Sequence, residues 1–180
     1  EIRRKVKRLI LLDPLGAAAG LPPPLEELAG VSSRNPLRRS VGAELTAFWL
    51  LTRLHAGSET ISDRDIAITA RLLELPEART TLASVARQAQ VSDSEDFRRR
   101  LRMLQLPTLL IRGSADRLVS ERDAAYFLQQ LPHGKFKQIV NCGHLPQEEA
   151  PELTAEYLSS FLAEPLPSVE DLAEAAVEPE

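Results

Sequence analysis

Asp116 and His144 each follow a short apolar segment that has the length and composition of a buried strand. The first segment spans 107–112 and the second spans 136–140. Because reactive groups gather at the carboxyl ends of parallel strands, we expect these two side chains on neighbouring loops at one edge of a sheet. A carboxylate placed there holds an imidazole in one tautomer and stabilises it after it takes a proton. The two residues are therefore candidates for the acid and the base of nucleophilic catalysis.

The only cysteine and the other two histidines have simpler interpretations than a catalytic role. Cys142 lies two residues before His144 and could form a Cys–His dyad with it, but a thiol at the end of a buried strand is usually a small apolar residue. His55 and His133 lie near the ends of predicted helices, where interaction with the helix terminus or plain solvation accounts for them. We therefore keep these three residues outside the expected catalytic group.

Three short apolar runs, closed by turn residues, predict the strands that position the candidate residues. They span 6–12, 107–112 and 136–140. Helices are predicted at 120–131 and 151–162, so that strand and helix alternate toward the carboxyl terminus. This alternation predicts an α/β fold in which the strands are parallel and joined by right-handed crossovers.

Between the first two strands the hydrophobic period becomes helical. Apolar residues recur at helical spacing over 40–104, which predicts three or four amphipathic helices. Ser62 is a candidate N-cap, and Ser92 and Glu95 have the spacing of a capping box. A stretch rich in proline, glycine and serine at 15–35 predicts a linker before this helical block.

Composition excludes several classes of function. The net charge is −4, so the chain lacks the basic excess of a general nucleic-acid-binding protein. One cysteine permits neither an internal disulfide nor a multi-cysteine zinc site. No apolar run reaches the roughly 18 residues that span a bilayer. We expect a cytoplasmic protein with no membrane span, no metal and no partner among nucleic acids, while composition leaves its oligomeric state open.

Two motifs within 106–162 resemble the C-terminal end of α/β-hydrolases. In that family a strand is followed by Gly-x-x-Asp-x-x-Val, a helix, another strand and Gly-His-x-Pro-x-x-Glu-x-Pro. The matching residues here are Gly113, Asp116, Val119, Gly143, His144, Pro146, Glu149 and Pro151. The resemblance implies a cofactor-free hydrolase of a small-molecule substrate, with Asp116 as the acid and His144 as the base of a catalytic triad.

The resemblance also implies how the chain is divided. Strand six of the hydrolase core and its turn would occupy 1–20, a helical cap 21–105, and the C-terminal core with both catalytic loops 106–163. The remaining segment, 164–180, is acidic and contains three prolines, a composition that predicts disorder. The expected architecture is a partial α/β-hydrolase fold, with three parallel strands, flanking helices and a helical cap insertion.

Three residues could each have either a functional or a purely structural role within this family. Asp13 ends the first strand, where some α/β-hydrolases carry the catalytic acid, but Asp13-Pro14 is more simply a strand-ending turn. Phe48 and Trp49 in the cap could line a pocket for an acyl or aromatic substrate, although packing inside the cap is the commoner use of such side chains.

The nucleophile of the family is not found in this sequence. It lies on a Gly-x-Ser-x-Gly turn after strand five, and no such motif occurs in the 180 residues. The chain begins at Glu1 and its only methionine is Met103, so we expect the nucleophile about 10–20 residues before Glu1. Alone, the chain is expected to lack turnover and to self-associate through the bare edge of its first strand. The alternatives to an enzyme are a hydrolase-fold receptor or binding protein and an inactive fragment.

Overall fold

The computed structural model describes residues 6–15, 42–78, 80–81, 84 and 95–167. Its strands and helices are, in chain order, β1 (Leu9–Leu12), α1 (Ala43–Leu54), α2 (Asp63–Leu73), α3 (Glu95–Arg102), β2 (Thr108–Gly113), α4 (Glu121–Gln130), β3 (Gly134–Ile139), α5 (Pro146–Glu149) and α6 (Pro151–Ala163). A 3-10 turn at Ser58–Thr60 separates α1 from α2. Almost all of the linker predicted at 15–35 lies outside the described residues, as do Ser92 of the expected capping box and the predicted tail beyond residue 167.

The three strands form one parallel sheet in the order β1-β2-β3, which confirms the predicted arrangement. β2 pairs with both neighbours and is buried along its whole length, whereas β1 is only half-buried because it pairs on one side. Thr108 at the start of β2 is aligned with Gly134, so β3 begins two residues before the predicted start at 136. β3 also ends at Ile139, because Asn141 adopts a positive φ of 56° and turns the chain away from the sheet.

The sheet is covered on both faces, as the alternation of side chains along β2 requires. Leu109 and Ile111 pack with Phe161 of α6 on one face. Leu110, between them in sequence, packs with Phe127 of α4 on the other face. The two loops that follow β2 and β3 are therefore held at the end of a strand pair that is buried on both sides.

Two serine capping boxes define where α2 and α4 begin. Ser62 accepts a hydrogen bond from the backbone N–H of Asp65, whose carboxylate in turn accepts from the backbone N–H of Ser62. Ser120 and Asp123 make the same reciprocal pair at α4. The N-cap predicted at Ser62 is confirmed. In the part of the chain that the structure describes, no helix is both long enough and apolar enough to cross a membrane.

Candidate active site

Backbone hydrogen bonds connect the loop after β2 to the loop after β3. Ser114 N–H donates to the carbonyl of Ile139 at 2.8 Å, and Ala115 N–H donates to the carbonyl of Cys142 at 2.8 Å. Gly113 allows this approach, since a Cβ there would overlap the carbonyl oxygen of Gly143. The two loops therefore lie against each other at the carboxyl edge of the sheet.

Asp116 and His144 meet across this contact. His144 Nδ1 lies 2.8 Å from Asp116 Oδ2, so the hydrogen bond expected from their positions is present. Asp116 Oδ1 accepts from the backbone N–H groups of Leu118 at 2.7 Å and Val119 at 3.1 Å, which fixes the carboxylate plane. The Asp116 side chain is fully buried, whereas that of His144 keeps 23% of its surface exposed. A partly accessible imidazole is thus held by a buried carboxylate.

Hydrogen bonding favours the charged form of Asp116. Burial opposes ionisation, but hydrogen bonds from His144 and Asp13 outweigh it and hold the pKa of Asp116 below its ordinary value of 3.8. A carboxylate that stays ionised keeps the Nδ1 proton of His144 in place as a donor. Among the described residues, no side chain or backbone group is hydrogen-bonded to His144 Nε2, so this nitrogen is the one available to exchange a proton with another molecule or segment.

Asp13 lies in the same cluster, at the end of β1. Its residue is only 3% exposed, and one of its carboxylate oxygens accepts the backbone N–H of Gly113 at 3.1 Å. Its φ of 40° lies in the left-handed region, which Asp tolerates better than most residues. Burial, followed by the hydrogen bond and charge of Asp116, raises the pKa of Asp13 from 3.8 to about 8. The interpretation as a strand-ending turn is right about the backbone but misses this contact, which the position at a neighbouring strand end could have indicated.

The proximity of these groups raises the question of a metal ion. Ligand atoms of Asp13, Asp116 and His144 all lie within 4.8 Å of one another. Hydrogen bonds among the same side chains, including the one at His144 Nδ1, already account for that proximity. We therefore interpret the cluster as an acid–base site and assign no metal to it.

Cys142 is poorly suited to act as a nucleophile. The residue is 1% exposed, and burial, followed by the charges of Glu149, Asp13 and Asp116, raises the pKa of its thiol to about 12. At neutral pH such a thiol is almost wholly protonated. This environment supports the interpretation of Cys142 as a small buried apolar residue.

The other two histidines sit near helix ends as predicted, but solvation does not describe their surroundings. His55 is the C-cap of α1 and is buried, with Nδ1 placed 3.0 Å from the hydroxyl of Thr60. His133 is half-buried in the turn before β3, and its carbonyl accepts the N–H of Thr108. The expectation of plain solvation is wrong for His55, because the 3-10 turn folds over it.

Phe48 and Trp49 lie outside the buried face of α1. That face consists of Ala47 and Leu51, and Ala47 packs against α2. Phe48 is 40% exposed, and the guanidinium of Arg53 lies 5.2 Å from the ring centre of Trp49. Phe48 is therefore not part of the buried face of α1, and its role in substrate binding stays a prediction.

The end of α1 is hydrogen-bonded to the loop that carries His144. His144 N–H donates to the carbonyl of Leu54 at 2.6 Å. The carboxylate of Glu149 accepts the N–H of Gly143 at 2.9 Å and the N–H of Ala56 at 2.8 Å, so it bridges the loop and the helical segment. A side chain at Gly143 would overlap the carbonyl of Leu54, which explains why glycine is needed there.

Arg117, from the loop of Asp116, reaches the same helix end. Its guanidinium donates to the carbonyls of Thr52 at 3.0 Å and Ala56 at 3.2 Å. From the sequence, Glu149 is identified only as a residue of the Gly-His-x-Pro-x-x-Glu-x-Pro motif, and Arg117 is assigned no role. For Arg117 there was no local signal, since its partners lie 61 and 65 positions away in the chain.

Comparison with known proteins places this geometry in a family. Residues 2–157 match the model of the alpha/beta hydrolase family. The chain is 35% identical over 60 residues to epoxide hydrolase 1 of Caenorhabditis elegans, covering 33% of this chain and 15% of that protein. It is 28% identical over 85 residues to 3-oxoadipate enol-lactonase 1 of Acinetobacter baylyi, covering 47% and 32%.

Solved structures agree on the fold. A meta-cleavage product hydrolase from Pseudomonas fluorescens superimposes with a TM-score of 0.72 at 16% identity, over 89% of this chain and 57% of that chain. A thermophilic esterase from Thermogutta terrifontis superimposes with a TM-score of 0.64 at 24% identity, over 90% and 57%. The chain thus spans little more than half of these structures. It has a partial α/β-hydrolase fold and belongs to the alpha/beta hydrolase family.

Proposed function

We propose that Asp116 and His144 are the acid and the base of a catalytic triad that hydrolyses an ester, amide, epoxide or similar bond. The observation that carries this proposal is the 2.8 Å hydrogen bond between His144 Nδ1 and Asp116 Oδ2, made by a buried carboxylate and a partly exposed ring. The nucleophile would lie in a preceding part of a longer protein, about 10–20 residues before Glu1. This chain alone would then be inactive.

The mechanism follows from the two nitrogens of His144. Nδ1 donates to Asp116, so Nε2 carries the lone pair that takes a proton from the nucleophile or from an attacking water. Asp116 stays ionised and stabilises the imidazolium that forms. The imidazolium then returns its proton to the leaving group, which restores the neutral ring for the next step.

The substrate would be a small molecule bound between the helical segment and the catalytic loops. Phe48 offers an exposed aromatic surface on α1, and we propose that it contacts the substrate together with Trp49. Relatives named as an epoxide hydrolase and an enol-lactonase support cleavage of a strained or activated C–O bond. The single free cysteine fits a reducing compartment, and we propose the cytoplasm.

Turnover by the full-length protein tests this proposal. The wild type and His144→Gln are assayed with a panel of p-nitrophenyl esters and aryl epoxides. The matched control is His133→Gln, because His133 lies in the turn before β3, whereas His144 follows that strand. We expect His144→Gln to lower kcat by a factor of about 10³ or more and His133→Gln to leave it within a few-fold. Activity that survives His144→Gln would contradict the assigned base. A folded full-length protein that binds these compounds without cleaving them would favour the hydrolase-fold binding protein.

A further inference from the structure

Asp13 and Asp116 place two carboxyl groups in contact inside the protein. A carboxylate oxygen of Asp13 lies within 4.8 Å of one of Asp116, and both residues are buried. Two buried carboxylates this close repel each other when both are ionised, which favours a proton on one of them. The chemical question is which of the two groups holds that proton.

The hydrogen-bond partners of the two groups differ. Asp116 accepts three donors apart from Asp13, namely His144 Nδ1 and the N–H groups of Leu118 and Val119. Asp13 accepts one, the N–H of Gly113, shared between its oxygens at 3.1 and 3.4 Å. Donors stabilise the ionised form of a carboxyl group, so the negative charge belongs on Asp116.

We propose that Asp13 is a positioning residue of the active site, protonated at neutral pH and donating a hydrogen bond to the Asp116 carboxylate. The inference rests on the proposed roles of Asp116 and His144, because it concerns how the acid is held. The Asp13 hydrogen bond would complete the ring of donors around Asp116 and prevent the carboxylate from rotating away from His144. The left-handed backbone at Asp13, with φ of 40°, directs its side chain toward the end of β2.

The charged and titratable groups around Asp13 are Asp116, His144, Arg112 and Cys142. Burial and the charge of Asp116 raise the pKa of Asp13 to about 8, against a smaller lowering by the Gly113 N–H and by Arg112. Arg112 itself donates to the carbonyl of Val119 and makes no hydrogen bond to Asp13 that would favour its ionised form. The thiol of Cys142 is neutral in this range, since the pKa of that group is raised to about 12. Deprotonation of Asp13 above pH 8 would therefore add a second charge beside Asp116 and break the donated hydrogen bond.

Infrared spectroscopy of the full-length protein detects the proton without any substrate. At about pH 6 ordinary carboxyl groups are ionised, so the C=O band of a protonated carboxylic acid reports a group with a raised pKa. We expect such a band in the wild type, lost with a midpoint near pH 8. It should be missing in Asp13→Asn and retained in the control Asp96→Asn, which removes an exposed carboxylate paired with Arg99 and Arg100.

A second variant guards against misfolding of Asp13→Asn. Asp116→Asn removes the neighbouring charge, so the midpoint of the band should fall below that of the wild type. Absence of the band in the wild type, its persistence in Asp13→Asn, or an unchanged midpoint in Asp116→Asn would each overturn the inference. None of these outcomes depends on turnover, so they are separate from failure of the proposed function, which is read from His144→Gln.

The pH profile of kcat/KM then tests the positioning role. The wild type should lose activity as pH rises through about 8. In Asp13→Asn, kcat/KM should stay constant across the same pH range, because the amide can donate to Asp116 at every pH and asparagine tolerates the left-handed backbone. Asp13→Leu lacks the donor and should fall about tenfold even at neutral pH, the effect expected for one hydrogen bond to a charged group. An alkaline loss that remains in Asp13→Asn, or an Asp13→Leu variant as active as Asp13→Asn, would exclude the role.

Discussion

The loops after β2 and β3, which carry Asp116 and His144, touch the helical segment at 42–78, but the two regions are built in different ways. In the loops, backbone groups are fixed by short hydrogen bonds, and the two loop glycines stand where a Cβ would overlap a carbonyl oxygen. In the helical segment, α1 and α2 meet through Ala47, Ala70 and Leu73, while other large apolar side chains, among them Leu45, Phe48 and Leu72, stay exposed. Tolerance to substitution should therefore differ sharply between the two regions.

This difference has a functional meaning. The proposed acid–base chemistry would require that Asp116 and His144 keep a fixed geometry, and buried backbone contacts give them one. The proposed substrate binding would need an adaptable apolar surface, and Phe48, Leu45 and Leu72 are exposed large apolar residues of the helical segment. Glu149 and Arg117 make hydrogen bonds that connect the loops after β2 and β3 to the helical segment.

The largest expected effect is steric and lies in the loops. In Gly113→Ala the new Cβ would overlap the carbonyl of Gly143, so the two loops must separate, at a cost of about 4 kcal/mol or more in the free energy of unfolding. Gly42→Ala at the start of α1 is the control, since its Cβ meets nothing within 4 Å. Chemical denaturation should give a clearly lower free energy of unfolding for Gly113→Ala than for Gly42→Ala. Equal stability for both would show that the loops are not packed as tightly as described.

The next effect concerns Asp13 and the pH dependence of stability. Its pKa is raised from 3.8 to about 8 in the folded protein, so the folded state holds a proton that the unfolded state has lost over this window. Stability from this group is therefore present at low pH and declines as pH rises toward 8. Asp13→Asn should remove that decline across the window between about pH 4 and pH 8. Denaturation curves at several pH values show how the free energy of unfolding changes with pH. The same change in the wild type and in Asp13→Asn would refute the raised pKa.

The Asp116–His144 pair could be predicted from the sequence, whereas the position of Asp13 at a strand end indicates its edge of the sheet but not its contact with the pair. Asp116 and His144 follow apolar runs that end at the same edge of a parallel sheet, which is enough to bring them together. Placing Asp13 beside them requires the register of β1 against β2, where Leu12 is aligned with Ile111. A local pattern such as Asp-Pro carries no information about that alignment, so the turn interpretation was preferred.

For the helical segment, the sequence predicts the helices but not their contacts with the rest of the chain. Hydrophobic period and the cap at Ser62 located both helices, because these signals are local. Which helix end meets the catalytic loops depends on contacts between residues far apart in the chain, such as Ala56 with Glu149, 93 positions apart. The exposure of Phe48 could not be predicted either, because α1 carries apolar residues on both its buried and its exposed side.

A smaller effect is expected where the two regions join. Glu149→Gln replaces one acceptor oxygen by an amide donor, so either the N–H of Gly143 or that of Ala56 loses its partner. We expect a loss of about 2 kcal/mol, the usual cost of an unsatisfied, partly buried donor. Glu148→Gln, at an exposed neighbouring position, should change stability by less than about 0.5 kcal/mol. Similar effects for both variants in thermal denaturation would remove the bridging role of Glu149.

The smallest change in stability should come from the helical segment itself. Phe48→Ala removes a ring that is 40% exposed, so the free energy of unfolding should change by less than about 1 kcal/mol. If the full-length protein is the proposed hydrolase, the same variant should raise KM for aromatic esters several-fold with little effect on kcat. Leu45→Ala, at another exposed position on α1, is the comparison. A large loss of stability without a change in KM would assign Phe48 to packing after all.

We propose that Asp116, and not Asp13, orients His144. Measuring kcat/KM for Asp116→Asn and Asp13→Asn of the full-length protein at pH 7 tests it most directly, because the two substitutions make the same chemical change on neighbouring carboxyl groups. We expect Asp116→Asn to lower kcat/KM by a factor of about 10³–10⁴, since the His144 tautomer is lost, while Asp13→Asn stays within a few-fold of the wild type. The reverse order, with Asp13→Asn inactive and Asp116→Asn active, would exclude this assignment and make Asp13 the acid.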